Sequence, residues 1–236
     1  MIGSNSPVLA ISMGEPAGIG GEIILKAWGK RSSMDPFFVI DDPERLKKIT
    51  NRTKLKVPIQ TISSPSETLQ VFSKALPVFP VKPIAPLPAP VVPGQPNAAN
   101  AKAVIASIEV AVKLIMKGEA DAIVTNPIHK KTLYDAGFLY PGHTEFLAFL
   151  AKLKTSPIMM LATGNLRVVP VTIHQSLRDA IDTLEISTIT EAGRITATAL
   201  RQDFGLTQPR LAVAGLNPHA GENGTMGNEE TNIIAP

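Results

Sequence analysis

The chain has 236 residues, 44% hydrophobic and 18% charged, a balance that supports a buried core and excludes a disordered chain; the length allows one large domain or two small ones. A net charge of +3 without a basic tract, together with 5% aromatic residues, argues against nucleic-acid binding and base-stacking platforms. The absence of cysteine excludes disulfides, thiolate metal sites and cysteine nucleophiles, the first residues do not read as a secretory leader, and no apolar run reaches the length of a membrane span, so a cytoplasmic location with no membrane partner is expected.

Val8-Leu9-Ala10-Ile11-Ser12-Met13 reads as a first strand. It runs into Gly14-Glu15-Pro16-Ala17-Gly18-Ile19-Gly20-Gly21-Glu22, after which Ile23, Ile24, Ala27 and Trp28 fall at helical spacing. A strand, a glycine-rich turn and a helix can bring backbone N–H groups to an anion, or can simply pack strand on helix closely. The turn is neither a Walker loop nor the dinucleotide fingerprint Gly-x-Gly-x-x-Gly. Phe37–Ile40 is a second short strand, and a helix from about Pro43 to Asn51 should follow with Pro43 in its first turn. Ile59–Ile62 reads as another strand. From Pro77 to Pro96 the chain holds eight of its 21 prolines, which predicts an extended connection with a short edge strand near Leu76–Phe79.

Asn97 opens the clearest helix, with Ala101, Val104, Ile105, Ile108, Val112 and Ile115 on one stripe and Gly118 as its stop. Ala122–Thr125 is expected as a buried strand leading to Asn126-Pro127-Ile128-His129-Lys130, then a helix from about Lys131 to Ala136. Gly137 to Gly142 breaks the chain before His143-Thr144-Glu145 and an apolar helix from Phe146 to Leu153; Thr144 is placed as its cap. Ile158–Ala162 and Val168–Ile173 read as an antiparallel pair joined by Thr163-Gly164-Asn165, with Pro170 marking an edge or bulge. A polar segment from Gln175 to Asp182 precedes a helix from about Ser187 to Phe204, stopped by Gly205. Leu211-Ala212-Val213-Ala214-Gly215 is long enough for a buried strand, and it empties into Leu216-Asn217-Pro218-His219-Ala220-Gly221-Glu222, with further glycines at 224 and 227 before Asn228 caps a helical start.

Alternating strands and helices imply a layered α/β fold with a largely parallel sheet; one hairpin and one proline-rich excursion point to a second lobe. The four histidines, His129, His143, His174 and His219, all follow apolar runs or open helices. Three of them lie just after expected strand exits, and parallel strand exits converge on one edge of a sheet. Imidazoles in a chain without cysteine suit a divalent ion such as zinc, cobalt or manganese; acid–base or phosphate-binding histidines, or a His that caps a turn, would give the same pattern. No Gly-x-Ser-x-Gly elbow supports serine hydrolysis.

Four motifs occur together and in order: Met13-Gly14-Glu15-Pro16-Ala17-Gly18-Ile19-Gly20, Tyr140-Pro141-Gly142-His143-Thr144-Glu145, Thr172-Ile173-His174 and Leu216-Asn217-Pro218-His219-Ala220-Gly221-Glu222. With them the chain resembles the 4-hydroxythreonine-4-phosphate dehydrogenase family of pyridoxal 5′-phosphate biosynthesis. The resemblance implies a two-lobed α/β fold like that of isocitrate and isopropylmalate dehydrogenases, and a homodimer with active sites between subunits. It further implies NAD as cofactor, a divalent ion (zinc, cobalt, magnesium or manganese), and oxidation of the secondary alcohol of a phosphorylated hydroxy-amino acid followed by loss of carbon dioxide. By the same resemblance His174 and His219 match two metal-binding histidines, and His143 and Thr144 match residues that hold the substrate. The family's pattern continues past Pro236 with a third metal histidine and part of the nicotinamide site, so a first lobe of about 1–125 completed by that segment, and a second of about 126–236, are expected. A relative oxidising another diol or hydroxy acid, or an inactive ligand-binding protein, are the alternatives. Gly21 stands where many relatives carry proline.

Overall fold

Leu9–Ser12 forms the first strand, β1, and the chain continues through α1 (Gly20–Gly29), β2 (Phe37–Asp41), α2 (Pro43–Thr53), β3 (Ile59–Thr61), α3 (Thr68–Val71), β4 (Leu76–Pro80), α4 (Ala101–Met116), β5 (Ala122–Val124), α5 (Lys130–Asp135) and α6 (His143–Leu150). These observations come from a computed structural model, which describes residues 6–81 and 84–236. The chain divides into two compact units, Met1–Thr155 and Ser156–Pro236. In the first, five strands pair in the order β3-β4-β2-β1-β5, all parallel.

The two faces of this sheet are both covered, as the near-continuous apolar strands require. Ala10, Phe38 and Ile40 face α4 and bury against Ala103, Ala106, Ala111 and Leu114. The alternate residues Ile11, Phe37 and Val39 face the other way and pack on Ile24, Leu25 and Trp28 of α1 and Leu46 and Ile49 of α2. Each fully buried side chain of this size contributes roughly 1.5–3 kcal/mol. A third cluster joins Ala101, Val104 and Ile108 of α4 to Leu133 of α5, Phe138 and Phe146 of α6.

Local signals set the helix ends. Asp42 caps α2 by accepting the Glu44 N–H at 2.8 Å, with Pro43 in the first turn. α4 ends in a Schellman motif, Gly118 N–H to Ile115 O and Glu119 N–H to Leu114 O.

Several expectations for this unit are corrected. The strand at Leu76–Pro80 is interior, between β3 and β2, rather than an edge. Its prolines are tolerated because Pro77 precedes the first registered pair with β2, Val39 with Val78, and Pro80 sits at the last. β5 is an edge strand, opposite β3, and is not buried; Val124 is 46% exposed. The cap of α6 is Gly142, not Thr144, which lies inside the first turn.

The second unit holds a hairpin, β6 (Leu161–Thr163) and β7 (Leu166–Val168), then α7 (Leu177–Asp182) and α8 (Ile186–Gln202). The hairpin is shorter than its apolar runs predict, and Pro170 lies outside it: Pro170 lacks the N–H that a ladder needs. The polar segment at 175–182 is helical from Leu177 on. Ser176 accepts the Asp179 N–H at 3.1 Å and starts α7. Leu211–Gly215, expected as a buried strand, forms none and is exposed, with Val213 at 60%. A strand exists by pairing, and no described strand pairs with this run. Past Asn228 the chain is helical, as expected, in a π-helix over Glu230–Ile234 whose cap is Glu229 rather than Asn228.

Candidate functional site

The order of the first sheet reverses beside β1. From β1 the chain steps to β2, and from β4 it crosses the sheet to β5 on β1's other side. Open α/β sheets place ligands at the carboxyl ends of strands flanking such a reversal. Here those ends are the glycine turn after β1 and the Asn126–Lys130 segment after β5. They are tied together: Glu15 N–H donates to Pro127 O at 2.8 Å, and Asn126 donates through Nδ2 to Ser12 O at 2.8 Å and through its backbone N–H to Ser12 Oγ at 3.2 Å.

Close packing accounts for the glycines of the turn. Gly14 has φ +69°, and a Cβ there would lie 2.6 Å from Asn126 Cβ and 2.8 Å from Pro127 O; one at Gly20 would lie 3.1 Å from both Asn126 Cγ and Met13 O. Gly21 faces Ile49, whose Cδ1 would meet a Cβ at 2.5 Å, so the residue at this position sets how near α1 lies to α2. The proline-rich segment folds over the turn, with Gly94 N–H donating to Ala17 O at 2.8 Å. Beneath it Asp41 and Arg45 form a buried bidentate pair, Nη2 to Oδ2 at 2.5 Å and Nε to Oδ1 at 2.9 Å. Burial pushes the Asp41 carboxyl above its ordinary range, and the guanidinium opposes that shift.

A few residues further on, His143 opens α6. Its Nε2 is buried with no hydrogen-bond partner, and one oxygen of Glu145, Oε2, is in the same condition. Gly142 caps the helix without a side chain, so no side-chain cap occupies the first-turn N–H groups. Lys130 Nζ approaches the same point: a Cβ at Gly142 would lie 3.8 Å from it and 3.6 Å from Glu145 Oε2. Burial, and then the Lys130 ammonium, hold the His143 pKa below that of a free imidazole, so the ring is neutral at pH 7. A neutral imidazole, an ammonium and open N–H groups at a helix start can receive an anion, with the Glu145 carboxylate beside them as an opposing group. His129 serves structure: it caps α5, its Nδ1 accepting the Thr132 N–H at 3.4 Å.

In the second unit His174 is exposed and has φ +59°, two residues before the Ser176 cap. His219 is exposed as well. Its N–H donates to Asn217 Oδ1 at 2.8 Å, and its Nδ1 lies 2.7 Å from Glu222 Oε1. Neither histidine follows a strand, so of the three expected strand exits only that of β5 exists. Among the described residues no three His, Asp or Glu side chains stand together as a ready cation site. The donor chemistry of His219 nevertheless fits a divalent ion. A carboxylate on Nδ1 leaves Nε2 outward with a lone pair, as metal-binding histidines are commonly arranged. Sequence reading passed over Lys130 and Glu222. The second had a signal, the three-residue spacing from His219.

A parallel α/β sheet that gathers its polar residues at the reversal of strand order has the layout of small-molecule α/β enzymes. A family model described as "Pyridoxal phosphate biosynthetic protein PdxA" matches residues 33–236, and the chain belongs to that family. It is 45% identical over 239 aligned residues to a 4-hydroxythreonine-4-phosphate dehydrogenase of Methylorubrum extorquens, covering 99% of this chain and 68% of that relative. A crystal structure of 4-hydroxythreonine-4-phosphate dehydrogenase from Klebsiella pneumoniae superposes with a TM-score of 0.86 at 36% identity, covering 98% of this chain and 70% of that one. A terephthalate 1,2-cis-dihydrodiol dehydrogenase from Burkholderia xenovorans matches less well, with a TM-score of 0.60 at 26% identity over 98% of this chain and 68% of that one. The fold is thus the isocitrate dehydrogenase-like α/β fold of these dehydrogenases, as the four motifs implied.

Proposed function

We propose that the chain acts in the oxidation of 4-hydroxythreonine 4-phosphate, in pyridoxal 5′-phosphate biosynthesis, with NAD and a divalent ion, as a cytoplasmic homodimer whose sites lie between subunits. The observation that carries the site is the buried, unpartnered Nε2 of His143 beside Lys130 at the start of α6. A buried polar atom without a partner is costly, and a substrate oxygen or hydroxyl would satisfy it. The Lys130 ammonium and the open N–H groups of the first turn attract the anionic substrate. His143, kept neutral, offers a hydrogen bond without adding charge, and Thr144 supplies a hydroxyl from the next position. His174 and His219 would hold the ion through imidazole nitrogens. When bound, the ion and NAD would supply Lewis-acid polarisation of the alcohol oxygen and a hydride acceptor.

The comparisons favour the phosphorylated substrate over a bare diol. The phosphate-ester dehydrogenase superposes with the higher TM-score and identity, and the diol dehydrogenase with the lower. The test is NADH absorbance with NAD, Zn²⁺ or Mn²⁺ and either substrate class, in the wild type, His143→Asn and His219→Ala. NADH from the phosphate ester, a raised KM in His143→Asn and no turnover in His219→Ala are expected. Preferential turnover of a non-phosphorylated diol would select the other reading, and metal or phosphate binding without any NADH would select an inactive binding protein.

A further inference from the structure

The His219 loop contains a left-handed turn. Five successive residues have positive φ: Ala220 at 47°, Gly221 at 73°, Glu222 at 41°, Asn223 at 57° and Gly224 at 91°. Three of these carry a Cβ, for which such backbone is unfavourable, and strained segments persist where surrounding bonds over-determine them. Those bonds are present. Just before the turn, Glu230 Oε1 accepts the Leu216 N–H at 2.8 Å. Met226 N–H donates to Gly221 O at 3.0 Å, and Thr225 Oγ1 donates to Glu222 O at 2.9 Å. Asn217 holds the His219 N–H.

Within this turn His219 Nδ1 and Glu222 Oε1 stand 2.7 Å apart. The two side chains are 57% and 56% exposed, and a pair this exposed adds little stability of its own. The strain is therefore not offset by the pair as a salt bridge. What the pair does is set the state of the ring. A carboxylate accepts only a proton-bearing nitrogen, so Nδ1 carries the proton and Nε2 is left as the ring's lone-pair donor.

We infer that Glu222 is a positioning residue for His219, holding its imidazole in the Nδ1–H tautomer with Nε2 presented for a divalent cation, and that the left-handed turn, closed by the Met226 and Thr225 bonds, serves to place it. The inference rests on the reading of His219 as a metal ligand. Carboxylates in this position orient and raise the basicity of ligating imidazoles, and their loss weakens metal affinity by roughly 10- to 100-fold.

Two measurements test it. In the metal-free protein at about pH 8, above the usual histidine range, ¹⁵N NMR reads which ring nitrogen of His219 is protonated. The Nδ1–H form is expected in the wild type, and a shift toward Nε2–H in Glu222→Asn. Asparagine accepts left-handed backbone, so the turn is retained while the carboxylate is replaced by a shorter, neutral amide. Zn²⁺ titration against a chromophoric chelator should show Glu222→Asn weakened by roughly 10- to 100-fold, with part of that loss recovered by Glu222→Gln, which keeps the length and an acceptor. An Nε2–H tautomer in the wild type, or Zn²⁺ affinity unchanged in Glu222→Asn while His219→Ala loses it, overturns the inference. Zn²⁺ affinity unchanged in His219→Ala removes the metal role of His219 instead, and the tautomer measurement then decides Glu222's effect on the ring by itself.

Discussion

Arg45 donates from Nη1 to the carbonyl oxygen of Pro16 at 3.0 Å while its Nε and Nη2 hold both oxygens of Asp41. The glycine turn after β1 is thereby fastened to a buried ion pair at the start of α2. Arg45→Met removes the cation and leaves a buried carboxylate alone. A loss of about 3–5 kcal/mol is expected, measured by urea unfolding at pH 7. The loss should depend on pH. Burial raises the Asp41 pKa, so without Arg45 the folded state holds its proton more tightly than the unfolded chain. The variant is then most stable below the ordinary carboxylate pKa of about 3.9 and loses stability as pH rises through the raised value.

Ser107 of α4 accepts the Met13 N–H at 2.8 Å and donates to Ile40 O at 2.7 Å. One hydroxyl thus satisfies two buried backbone groups, one just past the end of β1 and one in β2. Ser107→Ala leaves both without that partner and should cost about 1–3 kcal/mol in denaturant unfolding. Hydrogen exchange at Met13 should quicken in the same variant.

Gly14 and Gly118 have similar φ, +69° and +73°, but different surroundings. Gly118 has nothing within 4 Å of an added Cβ, so Gly118→Ala should lose only the backbone preference, about 1–2 kcal/mol. At Gly14 the same change also drives a methyl into Asn126 and Pro127. Gly14→Ala should therefore be the more damaging of the two in thermal melts, and equal shifts in Tm would contradict the close approach.

Burial and then Lys130 lower the His143 pKa. The folded protein takes up this proton less readily than the unfolded chain. The corresponding stability is present above the free imidazole pKa of about 6.5 and is lost as pH falls through the lowered value. Lys130→Met should raise the His143 pKa, read by NMR titration of the ring. His143→Asn should flatten the acid side of the stability profile.

Much of the first unit was legible in the sequence. Apolar spacing at Ile23–Trp28 and Ala101–Ile115, with Asp42-Pro43 and Gly118 as punctuation, located its helices, because those signals act within one or two turns of chain. Strand status was legible only where partners exist. The run Leu76–Phe79 reads as an edge because its neighbouring prolines look unfit for an interior strand, and the register that accommodates them is not a local property. Leu211–Gly215 has the composition of a strand yet pairs with nothing among the described residues, and composition alone cannot supply a neighbour. α7 was overlooked because its charged residues hid the Ser176-Leu177-Arg178-Asp179 capping pattern. At the candidate sites the histidines themselves stood out. What acts on them did not: Lys130 reaches the start of α6 across a break in the chain, and Glu222 meets its ring through a left-handed turn.

α4 touches both ends of the first unit's site. Its Ala103 and Ala106 lie on the sheet, its Val104 and Ile108 meet Phe146 of α6, and its Ser107 holds Met13 where the glycine turn begins. The helix carrying His143 and the turn after β1 are thus gauged from a single rod, and the thickness of that gauge is set by alanines. A larger side chain at Ala106 would displace the rod from the sheet and shift both parts at once, so the spacing between them can change only together with the core.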